Sequence, residues 1–199
     1  MGKGKTCLKP SEVANARAIA NAIQELAPYK EIASQPTIAE LTFCWQNPEF
    51  DLPCKCRPDL ITADFLTVVD FKSAADATHR SFQAAAYRYH YYVSAAFTLQ
   101  GVHASTGIMP RRYLYFVGQS SSPHLAAAYE ATADEIKLGL AFVRRNLRML
   151  RDCMDRGTWP GLPDAIQPLG LPPWVKATDD PEQMEWDTVS HSEPEHWWE

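Results

Sequence analysis

Asp59, Asp70 and Lys72 are the residues whose types and spacing could do chemistry. Asp70 and Lys72 stand two apart in Val68-Val69-Asp70-Phe71-Lys72. On a strand, side chains alternate, so these two charges share one face and Phe71 takes the other. The apolar neighbours imply a largely buried strand, where a charged pair needs a reason. Asp59 lies upstream, in Arg57-Pro58-Asp59. If the chain reverses tightly at Asp64-Phe65, Asp59 and Asp70 face one another on adjacent strands. Opposed carboxylates repel, or one of them stays protonated. A divalent cation between them removes the conflict, and carboxylate oxygens with waters suit Mg2+ or Mn2+. Beside such an ion, the Lys72 ammonium could orient or help deprotonate a water and stabilise charge building on a phosphate. The spacing alone fits equally a buried Asp70–Lys72 ion pair with Asp59 as a turn residue.

The following segment adds a candidate substrate surface. Thr78 to Gln100 reads as one long helix. At 100° per residue, Phe82, Ala86, Tyr89, Val93, Ala96 and Phe97 form its core stripe. Arg80, Gln83, Tyr87, His90, Tyr91 and Ser94 form a second stripe. Gln83 and Tyr87, four apart, are neighbours. An amide and hydroxyls suit phosphate, and tyrosine rings suit a sugar or base, so this face could receive a DNA strand. A solvated amphipathic face is the plainer reading.

The elements that must position these residues follow from periodicity and breakers. Ser11 to Ala27 reads as a helix capped by Ser11 and ended by Pro28. Thr37 to Trp45, Cys54 to Thr62 and Leu66 to Lys72 read as three consecutive strands, with a turn starting at Asn47-Pro48. Glu40 lies on the first of them and could line the site. Arg111 to Val117 reads as a fourth strand, able to join the same sheet by a crossover. Ala126 to Arg156 reads as mostly helix. The expected class is α/β, a mixed central sheet flanked by helices, in the order αβββαβα.

Composition bounds the function. With 199 residues, 46% of them hydrophobic and 22% charged, the chain can bury a real core. It has neither a span-length apolar run nor an export signal, so a cytoplasmic protein away from membranes is expected. The five cysteines read as reduced thiols, with Cys44, Cys54 and Cys56 as strand residues rather than metal ligands. The net charge of −5 is unsuited to nucleic acid when taken over the whole chain, but it is segregated. Thr178 to Glu199 holds eight acids and no Lys or Arg, which leaves 16 of the 24 acids against 19 bases elsewhere. The body is thus mildly basic, as phosphate binding requires. The tail, with Trp186, Trp197 and Trp198 among its acids, is expected to be a flexible segment or a docking arm. Arg144, Arg145, Arg148 and Arg151 on the last helix could track a phosphate backbone or simply be solvated.

R-P-D-(x10)-D-x-K followed by Q-x3-Y resembles the PD-(D/E)XK nuclease motif joined to the Q-x3-Y motif of its exonuclease branch. The longer runs CRPDLI, VVDFKSAADA, YRYHYYVSAAF, LRMLRDCMDRGTWPG and LPPWVK resemble RecE-like (exodeoxyribonuclease VIII) nuclease domains, over roughly Ile32 to Lys176. The resemblance implies a PD-(D/E)XK (restriction-endonuclease-like) core over residues 1–176, followed by the tail at 177–199. It implies Mg2+-dependent 5′→3′ digestion of one strand of linear double-stranded DNA, in phage-type recombination by strand annealing. It also implies a homo-oligomeric ring, trimer or tetramer, around the DNA and a single-strand annealing partner. Asp59 and Asp70 would be metal ligands, Lys72 the catalytic lysine, and Gln83 and Tyr87 substrate contacts, with Arg80 and Tyr91 beside them. One feature departs from RecE-like enzymes: no histidine precedes the first strand to complete the metal site. Two further readings therefore stand: a structure- or site-specific endonuclease of the same superfamily, and a catalytically weak DNA-binding module.

Overall fold

A computed structural model describes residues 8–170. The chain divides into a compact unit ending at Trp159 and a second part from Pro160. The described residues of that second part, 160–170, carry no helix or strand. The expected boundary at residue 176 and the tail tryptophans lie outside the described residues.

The N-terminal unit opens with α1 (Pro10–Gln24) and α2 (Ala27–Ala33). The first helix was expected to start at a Ser11 cap. It starts one residue earlier, because Pro10 suits the first helical position and the Glu12 carboxylate accepts the Lys9 N–H at 2.7 Å. Pro28 was expected to stop that helix and instead sits in the first turn of α2, where its missing N–H costs nothing.

The expected three-strand run is five strands: β1 (Thr37–Ala39), β2 (Phe43–Asn47), β3 (Leu52–Cys56), β4 (Leu60–Thr62) and β5 (Thr67–Ala74). The first expected strand breaks at Glu40, which takes a left-handed φ of 53°. The second breaks at Arg57-Pro58-Asp59, where Pro58 has no N–H to give a ladder. As a result β2 and β3 pair only with each other, as a separate hairpin. That hairpin lays Trp45 on Phe97, with ring centroids 4.9 Å apart.

The expected long helix is two, α3 (His79–Arg88) and α4 (Tyr91–Thr106). The break falls at His90, left-handed with φ 56°, whose Nδ1 lies 2.7 Å from the Tyr92 hydroxyl. Helical phase is lost there. Tyr89, expected on the core stripe, is 59% exposed, while Tyr92 is buried. After β6 (Arg112–Gln119) the expected helix is split again, into β7 (Ala126–Glu130) and α5 (Ala133–Arg156). Thr132 and Glu135 cap α5 reciprocally.

The main sheet runs β1-β4-β5-β6-β7. Only β5 and β6 are parallel, joined by the α3–α4 crossover. The architecture is therefore the expected mixed sheet flanked by helices. One face carries α1 and α2 over Val69, Leu114 and Phe116. The other carries α3 and α4 over Val68, Tyr113, Tyr115 and Val117. Among the described residues no helix is long and apolar enough to cross a membrane.

The close approach of α5 to α4 depends on Gly139. A Cβ there would run into the Tyr92 carbonyl oxygen and stand 2.7 Å from the Ala96 Cβ. Backbone cannot swing aside, so the cost should exceed the helix propensity that alanine adds. Gly139→Ala is expected to lose about 2 kcal/mol and lower Tm by roughly 4–8 °C in a thermal melt. An unchanged Tm would show that α5 does not pack this way.

Cys44, Cys54 and Cys56 are strand residues of the hairpin and are free thiols. Burial pushes the Cys56 thiol up to about 11, with Cys44 adding to the rise. Its thiolate is therefore scarce at pH 8. Iodoacetamide at that pH should modify Cys56 about a hundredfold more slowly in the folded protein than in urea, by peptide mass mapping. The raised value adds stability that is complete below the unfolded thiol range and is lost as pH climbs from 9 through 11.

Candidate active site

The site forms where β4 stops. The ladder between β4 and β5 pairs Leu60 with Val69 and Ile61 with Val68. Continuing that register by one residue sets Asp59 opposite Asp70. The hairpin that fixes it turns at Phe65, left-handed at φ 60°, with Phe65 N–H donating to the Thr62 carbonyl at 2.8 Å. Beyond the ladder, the Asp59 side chain takes over from the strand: Oδ2 accepts the Phe71 N–H at 2.7 Å. The carbonyl of Asp59 accepts the Glu40 N–H at 3.0 Å. Glu40 itself pairs with Arg57, Oε2 to Nε 2.8 Å. The Arg57-Pro58-Asp59 loop is thus held at both ends.

Asp70 is the buried member. Its side chain is 14% exposed and its Oδ2 lies 2.5 Å from the Lys72 Nζ, itself on a side chain 22% exposed. Oδ2 is buried, and the Lys72 ammonium is the cation held against it. Burial pushes the Asp70 carboxyl above the ordinary aspartate range; Lys72 pulls it part of the way back, and Asp59 adds to the rise. The environment therefore disfavours the second negative charge and favours any cation that would share it.

The donor set fits a hard divalent ion. Two carboxylates, one of them buried and raised in pKa, suit Mg2+ or Mn2+, which keep several waters and need few protein ligands. Among the described residues no group of three His, Cys, Asp or Glu side chains gathers as a soft-metal site would require. His79 and His90 are engaged elsewhere, against Tyr129 and Tyr92.

The remaining predicted residues divide. Tyr91 joins the cluster: its ring centroid lies 4.9 Å from Lys72 Nζ. Arg80, Gln83 and Tyr87 lie exposed on α3, with Tyr87 69% exposed and stacked near Tyr92. No described hydrogen bond ties these three to the carboxylates. Of the arginines on α5, Arg144 pairs with Glu49 at 2.6 Å and Arg151 with Asp155 at 2.5 Å. Sequence reasoning missed Tyr115, which pairs with Asp70 across β5 and β6 and carries a buried hydroxyl with no partner. The alternation of Tyr113 and Tyr115 with Leu114 and Phe116 was the signal that two tyrosines face the Asp70 side.

Residues 2–169 match the family described as "PDDEXK-like domain of unknown function (DUF3799)". The chain belongs to this PDDEXK-like family. The match places the domain in the PD-(D/E)XK nuclease superfamily. Among solved structures, the PDDEXK-like domain resembles a presumed exonuclease from Eubacterium rectale, at TM-score 0.64 and 15% identity. That likeness covers 84% of this chain and 66% of the other, and it speaks to the fold. A protein designated SSO0001 aligns at TM-score 0.40 and 15% identity, over 71% of this chain and 61% of that one. No curated protein matches the domain in sequence.

Proposed function

We propose that this PDDEXK-like domain is a Mg2+-dependent deoxyribonuclease that digests linear double-stranded DNA from its ends. The observation that carries the reading is the Asp59–Asp70 pair, opposed across β4 and β5 with the Lys72 ammonium in contact. Asp59 and Asp70 would hold the ion, for which Mn2+ would substitute. When bound, it would supply Lewis-acid polarisation of the scissile phosphate. Lys72 stabilises charge on that phosphate and holds Asp70 in place, and Tyr91 shields its ammonium from water. Gln83, Tyr87 and Arg80, on the exposed face of α3, receive the strand.

The finer assignment is a RecE-like 5′→3′ exonuclease of phage-type recombination, supported by the motif resemblance. The same resemblance supports a homo-oligomeric ring and an annealing partner. The test uses linear duplexes labelled at the 5′ or the 3′ end, beside a covalently closed circle, with Mg2+. The expected result is early release of 5′-labelled nucleotide and an intact circle. Early release of the 3′ label would overturn the polarity. Cutting of the circle would replace the reading with an endonuclease, and binding without hydrolysis with a DNA-binding module.

A further inference from the structure

Next to Tyr91 lies a pocket of about 220 Å³, lined among others by Ala74, Asp76, Ser81, Phe82, Tyr89 and Tyr91. Three of these six side chains are aromatic. Tyr89 and Tyr91 stack with centroids 5.9 Å apart and planes at 26°, and Phe82 lies 6.1 Å from Tyr91. Tyr91 is shared: its ring lines the pocket and also carries the Lys72 ammonium. Whatever fills the pocket therefore sits one aromatic ring from the lysine that the nuclease reading places at the scissile phosphate.

The occupant can be narrowed by charge and size. Asp76 holds a carboxylate at the wall, fixed by the Thr78 N–H and hydroxyl, both at 2.9 Å. A carboxylate repels a phosphate but accepts from the exocyclic amine or ring N–H of a base. The volume falls below the ~300–1,000 Å³ of pockets for drug-sized ligands, which suits a single ring system. Outside the pocket, the Arg88 guanidinium lies 5.7 Å over the Tyr89 ring, a cation placed for backbone leaving the pocket.

We infer that this pocket takes one unstacked base from the end of the strand being digested, with Tyr89 as the stacking residue. The inference rests on the nuclease reading for its geometry, but binding alone tests it. Tyr89 is 59% exposed and takes no part in the Asp59–Phe71 hydrogen bond or the Asp70–Lys72 ion pair, so its replacement leaves those two contacts in place.

The probe is a single-stranded oligodeoxynucleotide with 2-aminopurine as its terminal base, one version for each end, in EDTA so that nothing is cut. Stacking on tyrosine quenches this base. Binding to the wild-type protein should quench one of the two versions, and Tyr89→Phe should preserve the quench. Tyr89→Ala should abolish it and weaken binding about tenfold, the scale of one base–aromatic stack, with the salt dependence unchanged. An unquenched bound probe at both ends, or equal quenching by Tyr89→Ala, overturns the inference. Absence of hydrolysis in Mg2+ with the quench intact would instead count against the nuclease reading and leave the base pocket standing.

Discussion

Asp70→Asn should abolish DNA hydrolysis, a loss of at least several orders of magnitude, without lowering the melting temperature of the metal-free protein. The two halves of this result have separate causes. The carboxylate is removed from between Asp59 and Lys72, so the pair that could hold a divalent ion no longer exists. The fold loses nothing comparable. Burial and the neighbouring Asp59 together disfavour the Asp70 charge more than Lys72 favours it, since the carboxyl sits above its ordinary range despite the ammonium beside it. A neutral amide of the same shape escapes that burden and keeps a group able to hydrogen-bond. Lys72 gives up a counter-ion but keeps partial exposure and the Tyr91 ring. Hydrolysis assays and thermal melts together check both parts. A variant that still digests DNA at the normal rate would remove Asp70 from the site. A variant that is inactive only because it unfolds would leave the assignment without support.

Lys72→Met should lower kcat by about 10²–10³, the range seen when one group that stabilises transition-state charge is deleted, while the protein still binds Mn2+. Methionine keeps the length and packing of the lysine stem beside Tyr91. What disappears is the ammonium 2.5 Å from Asp70. With it gone, Asp59 and Asp70 face each other without a fixed cation, so affinity for a divalent ion should hold or rise. Titration calorimetry with Mn2+ and single-turnover kinetics separate the two quantities. Lost Mn2+ affinity with an unchanged rate constant would assign Lys72 to holding the ion rather than to the chemical step.

The centre of the site was legible in the sequence because its determinants are local. Asp64-Phe65 sets a tight reversal, and a reversal fixes register, so the opposition of Asp59 and Asp70 needed only the turn and the strand period. The two faces of β5 followed from the same alternation. What surrounds the centre was less legible. His90 breaks a helix in which no glycine or proline warns of it; Tyr89 becomes the C-cap of α3, outside the helical stripe, and the left-handed backbone at His90 re-phases everything beyond, Tyr91 included. Sequence periodicity assumes one unbroken helix and so assigned Tyr89 to the core. Residues 126–130, Ala-Ala-Ala-Tyr-Glu, have helical propensity, yet they form a strand because the edge of β6 offers a ladder from Leu114 to Gly118. Tertiary pairing outweighed local preference there, and only the fold reveals the partner. The hairpin of β2 and β3 was read as parts of two longer strands because Glu40 and Pro58, which separate the sheets, act through backbone geometry rather than through hydropathy.

The alternation along β5 also couples assembly to chemistry. Asp70 and Lys72 look toward α3 and α4, while Val69 and Phe71 look toward α1 and α2. Sliding this strand by one position would bury an aspartate and a lysine against Tyr29 and Phe116 and present a phenylalanine to the substrate. Such a mispaired molecule would be unstable and, on the nuclease reading, inert. Under that reading, specific activity would report the register of β5.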